Sequence, residues 1–361
     1  MFLTELSVIF ISYTGPMNKQ PLFILILILS PFLSFGQNVT ETKPHEFSKI
    51  FGETFDGLAQ SRDSGYSEGI GILENGLKNT VSDYERYKMI LNIGFLYTAT
   101  KQYDKAIDLW NAENRKGICL PFVLENMTYP GYLSDYLNIK RFQEFIKNNN
   151  ELRNKANENS KVEYFVNLPE NYDPDRKYPL IIVMHGGFGD NNATCKYWDS
   201  KKIKNEFISV FTQGREVVGT FTRKYGKTGI EDINEIYRRV ISEYPVDTSK
   251  IILAGQSAGG GLAIQLTNND IPATGLLLAF PAKPREFDYT KAVDFKNMNL
   301  KVIMVCGEKD QTFYAGQREM SAILDSAGVE NRFISNPDLG HDFPPDFGEQ
   351  INNGLAFLMK N

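Results

Sequence analysis

The alternation of hydrophobic and polar positions changes character along the chain. Pro21–Leu33 is an almost unbroken apolar stretch behind a polar, basic start at Asn18, Lys19 and Gln20. From Thr40 to Asn159 the apolar residues recur at helical spacing. From Lys161 onward, short apolar runs alternate with helix-period segments. Val162–Leu168 alternates in strand fashion and leads into a turn-rich stretch, Pro169–Arg176. Pro179–Met184 is continuously apolar, the mark of a strand buried on both faces. Further strands are predicted at Glu206–Phe211, Ile251–Ala254, Gly275–Phe280, Lys301–Cys306 and Arg332–Asn336. Helices are predicted at Gly229–Tyr244, from Leu262 to Leu266, and at Gly316–Ala327 and Phe347–Met359. Such repeated alternation predicts a mostly parallel sheet with helices on both faces. In that architecture functional groups gather at the carboxyl ends of the strands.

The textures divide the chain into a leader (residues 1–36), a helical region (40–159) and an α/β domain (161–361). The leader has the layout of a secretory signal, with a charged start, an apolar centre and small residues (Ser34, Gly36) before a cleavage position at Gln37. Its apolar centre is shorter than the roughly 20 residues that span a bilayer, and Met17 opens a complete signal by itself. The expected location is therefore exported, periplasmic or secreted. In the helical region, Gly94, Tyr97, Ala106 and Trp110 follow tetratricopeptide-like spacing, in which small residues let two helices approach and aromatic rings fill the gap. Tyr66–Ile70 with Leu73 reads as a degenerate second helix pair. The region is either a small helical domain or a module for a protein partner. Asparagine-rich Asn148–Lys161 is predicted to be a linker.

At 361 residues there is ample length for two domains and a sizeable core. A net charge of −5 without any lysine- or arginine-rich block argues against a nucleic-acid partner. Cys119, Cys195 and Cys306 show neither metal-ligand spacing nor a disulfide framework, Cys306 reads as core, and nothing supports a Cys119–Cys195 bridge.

Chemistry concentrates at Gly255-Gln256-Ser257-Ala258-Gly259, which follows a strand and opens a helix. A G-x-S-x-G string is weak alone, but on a sharp strand-to-helix turn it lifts the serine hydroxyl above the sheet edge. A serine hydroxyl needs a base. The chain has three histidines, His45, His185 and His341. His341 lies in a loop after the last strand, suited to folding over the turn. His185, ahead of Gly186 and Gly187, suits anchoring a loop better than acting as base. The imidazole in turn needs a carboxylate. Asp310 follows the Lys301–Cys306 strand and is favoured over Glu308, Asp338 and Asp342. The chain order is then Ser257, Asp310, His341. A developing oxyanion needs N–H donors, and the amides of Ala258 and Gly187 are placed to supply them. Phe188, Trp198, Phe313 and Tyr314 are candidates for lining a substrate pocket. No metal or organic cofactor is required.

Residues 161–361 resemble an α/β-hydrolase of the esterase and dienelactone-hydrolase-like kind, a group that includes feruloyl esterases, polyhydroxybutyrate depolymerases and phospholipase/carboxylesterases. The residues that carry the resemblance are Tyr178–Leu180 through His185-Gly186-Gly187, Val246-Asp247, Gly255–Gly260, Asp310 and His341. It implies a Ser257/His341/Asp310 triad and hydrolysis of a small-molecule or polysaccharide-linked ester through an acyl-enzyme. Prolyl-oligopeptidase-type serine peptidases use the same triad, although a helical region stands here where those proteins carry a β-propeller. A different expectation is an exported interaction protein that binds through the helical region and uses the hydrolase domain as a platform.

Overall fold

The computed structural model describes residues 64–79, 83–122, 134–267 and 271–360, together with Phe10–Ile11 and Ile24–Leu25, which pair antiparallel. The rest of the leader, its cleavage position and His45 lie outside the described residues. The chain divides into two units, Met1–Glu158 with Val218–Phe221, and Asn159–Val217 with Thr222–Asn361.

The first unit contains helices α1 (Ser64–Asn79), α2 (Asp83–Ala99), α3 (Tyr103–Asn114) and α4 (Lys140–Glu158). Its core gathers Trp110, Phe122, Tyr136, Phe142 and Phe145 around one another. Gly94 lets α2 lie directly on the Trp110 indole, since a Cβ there would fall 2.7 Å from the ring carbon Cε2. The sequence expectation of a linker from Asn148 is overturned, because α4 runs on to Glu158. Asn149 is fully buried and its carboxamide binds the Leu120 backbone twice, accepting from the N–H at 2.7 Å and donating to the carbonyl at 2.8 Å. A polar composition marks solvated chain only where the polar groups lack such internal partners.

The second unit is built on seven strands, β1 (Glu163–Asn167), β2 (Tyr178–Met184), β3 (Ile208–Gln213), β6 (Val246–Gln256), β7 (Gly275–Ala279), β8 (Lys301–Gly307) and β9 (Asn331–Asn336). A hairpin of β4 (Glu216–Gly219) and β5 (Thr222–Lys224) lies outside this sheet. The sheet order is β9-β8-β7-β6-β2-β3-β1; β1 is antiparallel to β3, and the remaining pairs are parallel. Between the strands run α5 (Asn191–Tyr197), α6 (Lys201–Glu206), α7 (Gly229–Glu243), α8 (Ala258–Leu266), α9 (Tyr289–Asn297) and α10 (Tyr314–Ala327), and α11 (Phe347–Leu358) follows the last strand.

The pleat sorts the apolar runs onto two faces. Ile182, Leu253, Leu276 and Val302 sit side by side in register and join the core under α7, α8, α9 and α10. Their neighbours Ile181, Ile252, Leu277 and Ile303 join the opposite core with Ile203, Ile351 and Leu355 of α6 and α11. Strands covered on both faces have no polar alternation to show, which is why β2 and the apolar half of β6 read as continuous hydrophobic runs. Asp190, Ser200 and Asp288 cap α5, α6 and α9, each accepting a backbone N–H from the first turn. All three cysteines are free, so no Cys119–Cys195 bridge forms, and Cys306 is buried in the sheet.

Candidate active site

The centre of the sheet delivers Ser257. β6 ends at Gln256, α8 begins at Ala258, and Ser257 between them adopts φ 51° and ψ −120°. A left-handed backbone at a non-glycine residue costs on the order of 1–3 kcal/mol and persists only where its surroundings enforce it. Here the Ser257 N–H donates to the Ala279 carbonyl at 3.0 Å, and its own carbonyl accepts from Gly261 and Ala282 at 3.0 and 2.9 Å. The flanking glycines are sterically required. A Cβ on Gly255 would approach the Gly259 carbonyl carbon to 2.6 Å, and one on Gly259 would collide with the backbone of Met184 and His185.

Two loops bring the partners. The Lys309 N–H donates to the Leu339 carbonyl at 2.8 Å, and the Glu308 N–H to the Asn336 carbonyl at 3.0 Å, so the segments after β8 and β9 are zipped together. Asp310 and His341 meet across that zipper. His341 Nδ1 lies 2.6 Å from Asp310 Oδ2, and its Nε2 lies 2.9 Å from Ser257 Oγ. The other Asp310 oxygen accepts the N–H groups of Thr312 and Phe313 at 3.2 and 3.0 Å. An acceptor-only carboxylate requires the Nδ1–H tautomer, which leaves Nε2 free to take the serine proton. Asp310 is 1 % exposed and His341 7 %. Water is therefore largely excluded from the pair, and its electrostatics are strengthened.

Two of the rival carboxylates are engaged elsewhere. Glu308 accepts from Ser335 Oγ at 2.7 Å, and Asp338 pairs with Lys309 at 2.9 Å. Burial, with the Asp310 charge adding to it, pushes the Cys306 thiol well up, so it is no rival nucleophile.

The loop after β2 starts at His185, which is fully buried. Its Nδ1 lies 2.6 Å from the Gly186 carbonyl, Nε2 accepts the Gly214 N–H at 2.9 Å, and the ring stacks on Tyr225 with centroids 4.6 Å apart. Burial holds its pKa down at about 4, so this imidazole is neutral and already committed at both nitrogens. His185 thus anchors the loop and lies beneath it. Gly186 passes close over the turn, since a Cβ there would stand 3.4 Å from Ser257 Cβ. Gly187 is exposed, and its amide and that of Ala258 have no hydrogen-bond partner among the described residues. These are the two donors expected for an oxyanion.

The aromatic candidates divide. Trp198 is 1 % exposed and stands behind the turn, where its indole N–H donates to Gln256 Oε1 at 3.2 Å. Tyr314 is half-buried, its hydroxyl 2.9 Å from Ser335 Oγ and its ring against Phe333. Phe188 is half-buried on the loop itself. Phe313 flanks the His341 ring with centroids 4.7 Å apart. Three participants escape sequence reasoning: Gln256, Tyr225 and Phe280. Each looks like ordinary core or loop composition, and none carries a spacing signal.

A cleft of about 770 Å³ lies at the opposite, amino-terminal edge of the sheet, lined by residues such as Lys250, Lys301, Arg332 and Phe357, and contains none of these groups. Among the described residues no cluster of histidine, cysteine or carboxylate side chains is arranged to hold a metal ion, and no helix is long and apolar enough to cross a membrane.

No known protein family's sequence profile matches the chain. A probable dipeptidyl-peptidase 5 of Aspergillus terreus is 23% identical over 263 residues, covering 70% of this chain and 34% of that protein. A probable dipeptidyl-aminopeptidase B of Ajellomyces capsulatus is 24% identical over 163 residues, covering 38% of this chain and 18% of that protein. The chain thus spans about a third or less of the length of these curated relatives. Among solved structures, the Bacillus cereus carboxylesterase superposes with a TM-score of 0.45 at 15% identity, covering 57% of this chain and 99% of that one. The order of the sheet, its antiparallel strand at the β1 edge, and a strained serine turn at its centre facing loops after β8 and β9 are those of the α/β-hydrolase fold, and this chain has that fold.

Proposed function

We propose that the chain is a serine hydrolase that cleaves carboxylic esters through an acyl-enzyme intermediate. The single observation that carries this reading is the continuous array Ser257 Oγ, His341 Nε2, His341 Nδ1 and Asp310 Oδ2, spaced at 2.9 and 2.6 Å. His341 Nε2 takes the serine proton as Oγ bonds to the ester carbonyl carbon. The carbonyl electron pair moves onto oxygen, where the Gly187 and Ala258 amides receive it. The C–O bond to the leaving alkoxide then breaks, and His341 returns the proton to it as alcohol. Water repeats the sequence on the acyl-serine and releases the acid. Asp310, against His341 Nδ1, steadies the imidazolium. The test is labelling with a fluorophosphonate probe: folded wild type should react and Ser257→Ala should not, and an unreactive wild type ends the proposal.

Peptide-bond hydrolysis is the second reading, favoured by the names of the fungal relatives. The same acyl-enzyme forms, and the leaving amine requires its proton from His341. Comparing p-nitrophenyl acetate with an aminoacyl p-nitroanilide decides between them: an ester preference supports the first reading, and comparable anilide turnover supports the second. The leader-like sequence supports export, and a mature protein beginning at Gln37 is the expected result of N-terminal sequencing.

A further inference from the structure

The geometry points to Gln256 as a positioning residue that couples the serine turn to the loop carrying the Gly187 donor, an inference that rests on the proposed serine-hydrolase reading. Gln256 is the last residue of β6, adjacent to Ser257, and is 9 % exposed. Both ends of its carboxamide are used. Nε2 donates to Thr194 Oγ1 at 3.0 Å, and Oε1 accepts the Trp198 indole N–H at 3.2 Å. The Thr194 hydroxyl in turn donates to the Asp190 carbonyl at 2.8 Å, and Asp190 caps α5 by accepting the Ala193 N–H at 2.8 Å.

The loop from His185 to Asp190 is therefore tied at both of its ends. His185 holds its start, a pair of backbone hydrogen bonds between Gly189 and Arg223 holds it near its end, and just beyond Asp190 the Asn191 N–H donates to Gln213 and Gln256 donates to Thr194. Only the last tie reaches the residue next to the nucleophile. The Gln256 side chain also underlies the loop, since a Cβ on Gly186 would rest 3.5 Å from Gln256 Cγ. An apolar residue of similar length would leave the Trp198 N–H unpaired and Thr194 without its donor in a buried site. The loop end would then lose its tie to the residue next to Ser257, while its bonds to Arg223 and Gln213 remained. Oxyanion donors act only at hydrogen-bond distance from the developing charge, so a small shift lowers turnover more than substrate binding.

The experiment compares the full chain with Gln256→Leu and Thr194→Val, which cut the same link from its two sides. The expected result for each is a fall in kcat of about 10- to 100-fold with KM changed less than about threefold. A trifluoromethyl ketone, which forms an oxyanion on Ser257, should lose affinity in step with kcat. The two substitutions together should cost little more than either alone, because they break one coupling. Amide hydrogen exchange at residues 186–190 should rise in both variants. Wild-type values of kcat, inhibitor affinity and exchange in a folded Thr194→Val protein overturn the inference, even if Gln256→Leu fails to fold. A wild type that never reacts with the fluorophosphonate defeats the serine-hydrolase reading instead. In that case the exchange measurement still decides whether Gln256 holds the loop.

Discussion

The ring of Phe280 stands edge-on to the imidazole of His341, with centroids 4.7 Å apart and planes inclined by 68°. Phe280 holds that position from a left-handed backbone, φ 35°, immediately after β7, where its N–H donates to the Val305 carbonyl at 2.6 Å. The same ring also meets Phe343 edge-on, with centroids 4.8 Å apart. The imidazole is thus walled by Phe280 and Phe313 and bonded to Asp310, which leaves it little rotational freedom.

The strained backbone at Phe280 makes an unusual stability order testable. Phe280→Ala should lose about 3–5 kcal/mol through the cavity it leaves. Phe280→Gly removes one more carbon but relieves the left-handed strain. It should therefore unfold at the same denaturant concentration as Phe280→Ala or a higher one. A clearly less stable glycine variant would show that the backbone stores no strain there.

Asp310→Asn keeps the shape of the side chain but turns one acceptor into a donor. The carboxamide N–H facing His341 then favours the wrong tautomer, with the proton on Nε2, where it cannot accept from Ser257. By analogy with other serine hydrolases kcat should fall by about 10⁴. Steady-state ester hydrolysis with an active-site titration measures it, and a loss under tenfold would remove Asp310 from the role proposed here.

Acid should loosen the loop anchor. His185 titrates at about 4 in the folded chain, against an ordinary 6.5, because burial disfavours its cation. On acidification the unfolded chain takes this proton first. The contribution of His185 to stability is complete above pH 6.5 and declines as pH falls toward 4, by about 3 kcal/mol in all. Its ring resonances in an NMR titration should stay in the neutral form down to pH 5, whereas a midpoint near 6.5 would contradict the buried, doubly bonded ring.

In the helical unit, Gly94→Ala forces a methyl group into the Trp110 indole. Overpacking of this kind costs about 1–3 kcal/mol. A lower melting temperature, with ester hydrolysis at 25 °C unchanged, is the expected outcome; full stability would mean that α2 and α3 separate at little cost.

The sequence showed most of the sheet, because strands covered on both faces must be apolar throughout and their ends are marked by glycine and proline. It missed α5 and α9, whose residues face both water and core without a strong period. It also misread the start of β3, since Glu206 ends a helix that sequence pattern alone merges with the strand. Asn148 onward looked like a linker because composition cannot reveal that Asn149 is satisfied by the Leu120 backbone. Trp198 looked like a pocket residue because nothing local says which way an indole on a short loop will turn.

Ser257, Asp310 and His341 were legible because each follows a strand, and a parallel sheet gathers such positions at one edge. The chain alone settled which residues reach that edge and in what order, since hydrophobic runs and glycine spacing are local properties. Only tertiary packing decided which carboxylate faces the imidazole, which tautomer results, and that Gln256 joins His185 beneath the loop. Those outcomes depend on distances of a few ångströms between segments dozens of residues apart, and no local pattern encodes them.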